Sequence, residues 1–90
     1  MYEWDERKRR LNLLKHGMDF AAVEDFAWES AVIRPDRRRD YGEDRYIALG
    51  PIGGRLHTLI FTPRGGRVRL LSLRKANPRE ERSYEQSQKT

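Results

Sequence analysis

The sequence contains no cysteine and only two histidines, His16 and His57, among its 90 residues. Without cysteine there is no disulfide framework, thiolate metal site or cysteine nucleophile, and a reducing cytoplasm suits such a chain. The scarcity of histidine leaves just two side chains whose ordinary pKa lies near neutrality. Long apolar runs are missing too, and nothing approaches the roughly 18 residues of a membrane span. The opening MYEWDERKRRLNLL carries charges where a secretory signal needs an unbroken apolar stretch. The expectation is a soluble, cytoplasmic protein that does not enter a membrane. HExxH, Walker, GxGxxG and serine-elbow motifs do not occur, so no cofactor is expected.

What the chain has in abundance is charge. Apolar and charged residues each make up 37% of it, and 19 Lys and Arg outnumber 14 Asp and Glu to give a net charge of +5. A basic excess favours polyanionic partners, either nucleic acid or an acidic protein, without choosing between them. A chain this short buries only about 60–70% of its unfolded surface, so residues 1–90 read as one domain with a thin core. Binding to a further copy or to a partner would then supply part of the working stability.

The local signals give an α+β pattern. YEW opens as a short strand. Asp5 is placed to cap the helix ERKRRLNLLKH, and Gly17 to end it in a left-handed conformation. Leu11, Leu14 and Trp4 fall near one face of that helix, while Glu6, Arg7, Arg9 and Arg10 populate the remainder. Asp19 repeats the capping logic for a short helix FAAVEDFA, with Phe20, Val23 and Ala27 as its stripe and Phe26 widening it. SAVIR reads as a strand and PDRRRDYGED as a charged loop. The strands 45–50, 55–62 and 67–75 are separated by Gly53-Gly54 and Gly65-Gly66, whose freedom at positive φ suits tight hairpins, so an antiparallel meander is expected. Asn77, Pro78 and Glu80 form a helix start for a last helix from Pro78 to about Ser87.

The stretch RVRLLSLRKANPRE concentrates the cations. Strict alternation puts Val68, Leu70, Ser72 and Arg74 on one face of its strand, and Arg69, Leu71, Leu73 and Lys75 on the other. Arg64 and Arg67 flank the preceding turn, while Arg74 and Lys75 lie about 20 Å further along by strand rise. Arginines at such positions are commonly solvated and guard a sheet edge against unwanted pairing; the sharper reading is bidentate binding of a phosphodiester. His16 stands beside Lys15 in the last turn of a helix, where the macrodipole alone accounts for two cations. His57 sits mid-strand and reads as structural. Asp36, Asp40, Glu43 and Asp44 cluster in a loop interrupted by arginines, which argues for ion pairs over a metal site. Tyr46, Tyr84, Trp4 and Trp28 read as packing or interface residues, though the tyrosines could also stack on bases. Hydrolysis without a metal favours RNA, whose own 2′-hydroxyl can act as the nucleophile.

Several motifs in order carry a family resemblance. The opening WDERKRRLNLLKHGMDF offers Trp4-Asp5, Lys8, Asn12, Lys15-His16-Gly17 and Phe20. Further on come Gly42-Glu43, Arg45-Tyr46, Thr62, Arg64, Arg69, Ser72, Arg74-Lys75-Ala76, Glu80, Arg82 and Tyr84. In these the chain resembles the BrnT family of ribonuclease toxins from type II toxin-antitoxin modules. The glycine-rich turns PIGG and PRGG are modest departures. The resemblance implies a RelE-like fold: a mainly antiparallel sheet with two N-terminal helices packed on one face and a C-terminal helix. It also implies RNA cleavage that arrests translation, and inhibition by a BrnA-type ribbon-helix-helix antitoxin through which alone the complex would touch operator DNA. A homodimer and a toxin-antitoxin heterotetramer are both compatible with it.

RelE-like sites resemble one another in using strand arginines and other cations instead of a histidine pair. On that basis Arg64 and Arg74 are the expected transition-state cations, and His16 the candidate for proton transfer. Lys15, Arg67, Arg69 and Lys75 are the expected RNA-binding residues, with no metal. The competing readings are a non-catalytic basic module that binds RNA or an acidic protein, and arginines that serve purely as antitoxin contacts.

Overall fold

The glycine pairs do what their positions require. In the computed structural model, which describes residues 1–89, Gly53-Gly54 and Gly65-Gly66 all have positive φ and turn the chain between consecutive antiparallel strands. The strands are β1 (Tyr2–Glu3), β2 (Val32–Pro35), β3 (Tyr46–Ile52), β4 (Arg55–Arg64) and β5 (Arg67–Lys75), in one five-stranded sheet ordered β1-β5-β4-β3-β2. The meander is antiparallel throughout, whereas the two-residue β1 joins β5 in parallel.

Two helices flank the sheet. Helix α1 (Glu6–His16) starts where the Asp5 carboxylate accepts from the Arg7 and Lys8 amides, and it ends at Gly17 with φ of 71°. Helix α2 (Pro78–Ser87) opens with the expected reciprocal cap, Asn77 accepting from the Glu80 amide and Glu80 accepting from the Asn77 amide. Tyr84 anchors α2 by donating its hydroxyl to the Ser30 carbonyl at 2.6 Å.

The segment expected as a second N-terminal α-helix is a 3-10 helix, Phe20–Asp25, followed by a further 3-10 turn at Trp28–Ser30. The reason lies in the spacing. Phe20, Val23 and Phe26 are all buried and recur every third residue, the period at which 3-10 side chains eclipse. A stripe read at 3.6 residues per turn had to recruit Ala27 in place of Phe26. These side chains pack with Ala48, Leu59, Phe61, Leu70 and Leu73 to form the core on one face of the sheet. Trp4 sits edge-on to Phe20, Trp28 edge-on to Phe26 and Phe61, and Tyr46 stacks on Phe61, so these aromatics are packing residues. His57 is buried with Nδ1 2.7 Å from the Arg55 carbonyl, in line with a structural role.

Helix α1 departs from expectation in a second way. Its buried residue is Asn12, at 7% exposure, whereas Leu11 is 54% and Leu14 84% exposed. Past the end of β1, one edge of β5 would present open backbone groups. Asn12 closes it: its amide nitrogen donates to the Leu73 carbonyl at 2.8 Å, and its amide oxygen accepts from the Leu73 N–H at 3.0 Å. Strand backbone groups point in the plane of the sheet, so α1 stands beside the edge of β5, and the core face is covered by the 3-10 segment with Trp4 and Trp28. The polar stripe of α1 therefore faces inward and its leucines face solvent.

Candidate functional site

The register between β4 and β5 shifts once. Ile60 pairs with Ser72 while Phe61 pairs with Leu70, which leaves Leu71 as an extra residue in a β-bulge. A single extra residue inverts the alternation beyond it. Val68, Leu70 and Leu73 share the core face, and Arg67, Arg69, Ser72 and Arg74 share the opposite one. Strict alternation had separated Arg69 from Arg74; the bulge reunites them and turns Lys75 to the core side, opposite His57.

Three arginines of that face have a carboxylate, and among the described residues Arg67 has none. Arg69 donates to Glu3 at 3.0 Å, and Arg64 lies 3.5 Å from Glu43. Arg74 is held most firmly, with Nη1 and Nη2 each 2.8 Å from a different oxygen of Glu80. Glu80 also accepts from Thr58 Oγ1 and from the Asn77 amide. Burial pushes its pKa up, but the Arg74 guanidinium and these further donors outweigh that and hold it at about 2. One carboxylate thereby caps α2, joins it to β4 and fixes the fork of Arg74. Sequence reading identified Glu80 only as a cap, because its second duty depends on strand register.

Arg64 and Arg74 do not converge. Arg64 pairs across from Arg67 at the hairpin turn and Arg74 across from Thr58, six steps along β4 and about 20 Å away. A single phosphate cannot touch both. Arg64, 56% exposed at its side chain, belongs with Arg67 at one end of the face, and Arg74, 29% exposed, lies at the other.

Arg74 has different company. The inward stripe of α1, Lys8, Asn12, Lys15 and His16, recurs at intervals of three and four, so these side chains lie along one side of the helix. Together with Leu11, Leu71 and Ser72 they line a groove of about 190 Å³ between α1 and β5. His16 is partly buried there, and its pKa is lowered from 6.5 by that burial and then by the charges of Lys15 and Arg74. At neutral pH the imidazole is thus uncharged and able to accept a proton. Among the described residues neither Lys8 nor Lys15 forms an ion pair, so both ammonium groups are free for an anion.

Two larger cavities suit an anion less well. One of about 490 Å³ between α2 and the β3–β4 turn sets the carboxylates of Glu81 and Glu85 beside Arg55 and Arg82, with no net positive charge. The other, about 420 Å³, lies in the charged loop after β2, where Asp36 and Glu43 are occupied by Arg38 and Arg45. Arg38 holds the Asp36 carboxyl down at about 2, and Arg45 lies 4.1 Å from the centre of the Tyr41 ring. Among the described residues no three His, Asp or Glu side chains are placed together as a metal site requires.

A family model for the ribonuclease toxin BrnT of type II toxin-antitoxin systems matches residues 4–80. The chain belongs to the BrnT family. No match was found among curated proteins. The matched span runs from Trp4 to Glu80, so every side chain lining the groove and the Arg74–Glu80 pair lie inside the BrnT region. Family membership makes this chain the toxin of such a system, with RNA as its target and an antitoxin as its partner. Among the described residues no helix is long and apolar enough to cross a membrane.

Proposed function

We propose that this BrnT toxin is a metal-independent endoribonuclease in which the groove between α1 and β5 is the reaction centre. The 2′-hydroxyl of the RNA attacks the adjacent phosphorus, and the 5′-oxygen of the next nucleotide leaves, taking up a proton from water. This gives a 2′,3′-cyclic phosphate and a 5′-hydroxyl. His16, neutral at physiological pH, takes the proton from the 2′-hydroxyl as general base. Arg74, held by Glu80 through Nη1 and Nη2, turns its charge and its remaining N–H donors to the negative charge that develops on the phosphoryl oxygens. Lys15 and Lys8 hold flanking phosphates, and Arg64, Arg67 and Arg69 receive the strand further along the same sheet face. Lys75, on the opposite face, keeps at most a peripheral part in RNA binding.

The observation that supports this reading is a groove lined by His16 and the unpaired Lys8 and Lys15, with the carboxylate-oriented Arg74 outside its lining but near enough for its charge to bear on His16. Cleavage of cytoplasmic RNA would arrest translation, and a BrnA-type ribbon-helix-helix antitoxin would neutralise the toxin and carry the complex to operator DNA. The carboxylate partners of Arg64, Arg69 and Arg74 favour a second reading, a basic module that binds RNA without cutting it. Purified protein incubated with RNA in EDTA separates the possibilities. Cyclic phosphate ends in EDTA support the proposal. RNA retarded on a gel without new ends establishes the binder, and activity lost in EDTA and restored by a divalent cation rejects metal independence.

A further inference from the structure

Helix α1 does not turn its leucines to the sheet: its one buried residue is Asn12. The side that touches β5 carries Lys8, Asn12, Lys15 and His16, while Leu11, Leu13 and Leu14 are all exposed. Arg7, Arg10, Leu11 and Leu14 stand at i, i+3, i+4 and i+7 and so form one outward stripe. Among the described residues neither Arg7 nor Arg10 has a carboxylate partner, and Glu6, the acid on this helix, is taken by Arg9. The stripe is an apolar strip flanked by unpaired cations.

We infer that this face is the docking surface for an amphipathic helix of the antitoxin, apolar along one side with Asp or Glu beside the apolar stripe. The inference rests on the family reading that an antitoxin partner exists. Charge decides against a second copy of this chain, because two such faces would bring arginines against arginines. Chemistry decides against RNA, since bases stack on aromatic rings or arginine planes and gain little from leucine side chains. Helical form follows from the surface itself. The backbone of α1 is already hydrogen-bonded, so an extended partner strand would find no edge to pair with, whereas a helix brings its own bonds satisfied.

Docking here also accounts for inhibition. Leu11 belongs both to the outward stripe and to the rim of the groove that holds Lys15 and His16. A helix seated on Leu11 and Leu14 overhangs the groove mouth, and its acidic flank reaches Lys15. The antitoxin thus excludes RNA without entering the reaction centre.

The test uses the full chain and, as probe, the protein encoded by the adjacent reading frame, with affinity measured by calorimetry and RNA cleavage assayed in parallel. Leu14→Asp should weaken the complex at least tenfold while the free variant cleaves RNA as wild type does. Arg7→Glu combined with Arg10→Glu should slow association about tenfold and flatten its salt dependence. Ile33→Asp, at the opposite edge of the sheet, is the control and should leave affinity unchanged. Unaltered affinity of Leu14→Asp, no binding by the wild type, or a loss seen only with Ile33→Asp overturns the inference. So does a wild-type dimer that Leu14→Asp dissociates, or RNA retention that Leu14→Asp abolishes. If wild type cleaves no RNA yet Leu14→Asp still weakens the antitoxin complex, the catalytic reading falls and the docking surface stands.

Discussion

Replacing Asn12 by alanine should cost more than replacing any of the three leucines on the same helix. Three hydrogen bonds are lost: two to the backbone of Leu73 and one, at 2.9 Å, to the Met18 carbonyl. Leu73 is fully buried, so its N–H and C=O are left without partners, at roughly 1–3 kcal/mol for each unsatisfied group. Met18 is half-buried, and alanine returns up to about 0.7 kcal/mol of helix propensity. The net is about 1–5 kcal/mol, a large part of the roughly 5–15 kcal/mol available to a small domain. A fall in Tm of about 5–40 °C should accompany it, at roughly 4–8 °C per kcal/mol for a domain of this size. Leu14→Ala, at a site 84% exposed, should stay within about 0.5 kcal/mol of wild type. Urea unfolding of both variants at constant m value measures the difference. If Leu14→Ala proves the costlier change, or Asn12→Ala costs less than about 1 kcal/mol, α1 does not sit with its polar stripe inward and the groove assignment goes with it.

The remaining expectations concern the groove and its supports. Glu80 is held at about 2, below its ordinary 4.5, so its contribution to stability is complete above pH 4.5 and disappears as pH falls through 2. Glu80→Gln should accordingly be less stable than wild type at pH 7, and the gap should close between pH 5 and 2 in denaturation curves. With His16 as general base, kcat/KM should rise with pH through a midpoint below 6.5, and His16→Asn should abolish that limb along with most of the activity. Arg74→Lys keeps the charge but loses the fork, and by analogy with a lost oxyanion donor should lower kcat about 100-fold or more. Arg64→Ala should act mainly on KM and on the salt dependence of RNA binding; equal losses of kcat in the two variants would restore a paired role for these arginines.

Much of the scaffold was legible because its signals are local. Asp5 and Gly17 bound α1, Asn77-Pro78 with Glu80 starts α2, and the two glycine pairs set the hairpins where the residue types demand them. Three features escaped, each because it depends on residues far apart in the chain. The bulge at Leu71 carries no glycine or proline to announce it; it became visible only from the pairing of β5 with β4. The 3-10 segment needed a core that selects Phe26 over Ala27. Asn12 was named only among the residues that carry the family resemblance, although asparagine in mid-helix is a poor helix former; that anomaly was the available clue. The site was legible to the same extent. Lys15, His16 and Arg74 could be named from sequence, but which arginine accompanies the histidine was decided by strand register.

These misses have a common cause that bears on function. Binary patterning assumes that a helix turns its leucines to the core, and α1 violates this because the open edge of β5 offers backbone groups, not apolar surface. A side chain that can both donate and accept serves there better than any leucine, so Asn12 turns inward and brings Lys8, Lys15 and His16 to β5 with it. The same rotation that assembles the groove necessarily exposes Leu11 and Leu14. Exposed leucines carry a solubility cost for an isolated protein, and repacking them inward would carry Lys15 and His16 out of the groove. An antitoxin helix seated on Leu11 and Leu14 would remove that cost without disturbing Lys15 and His16.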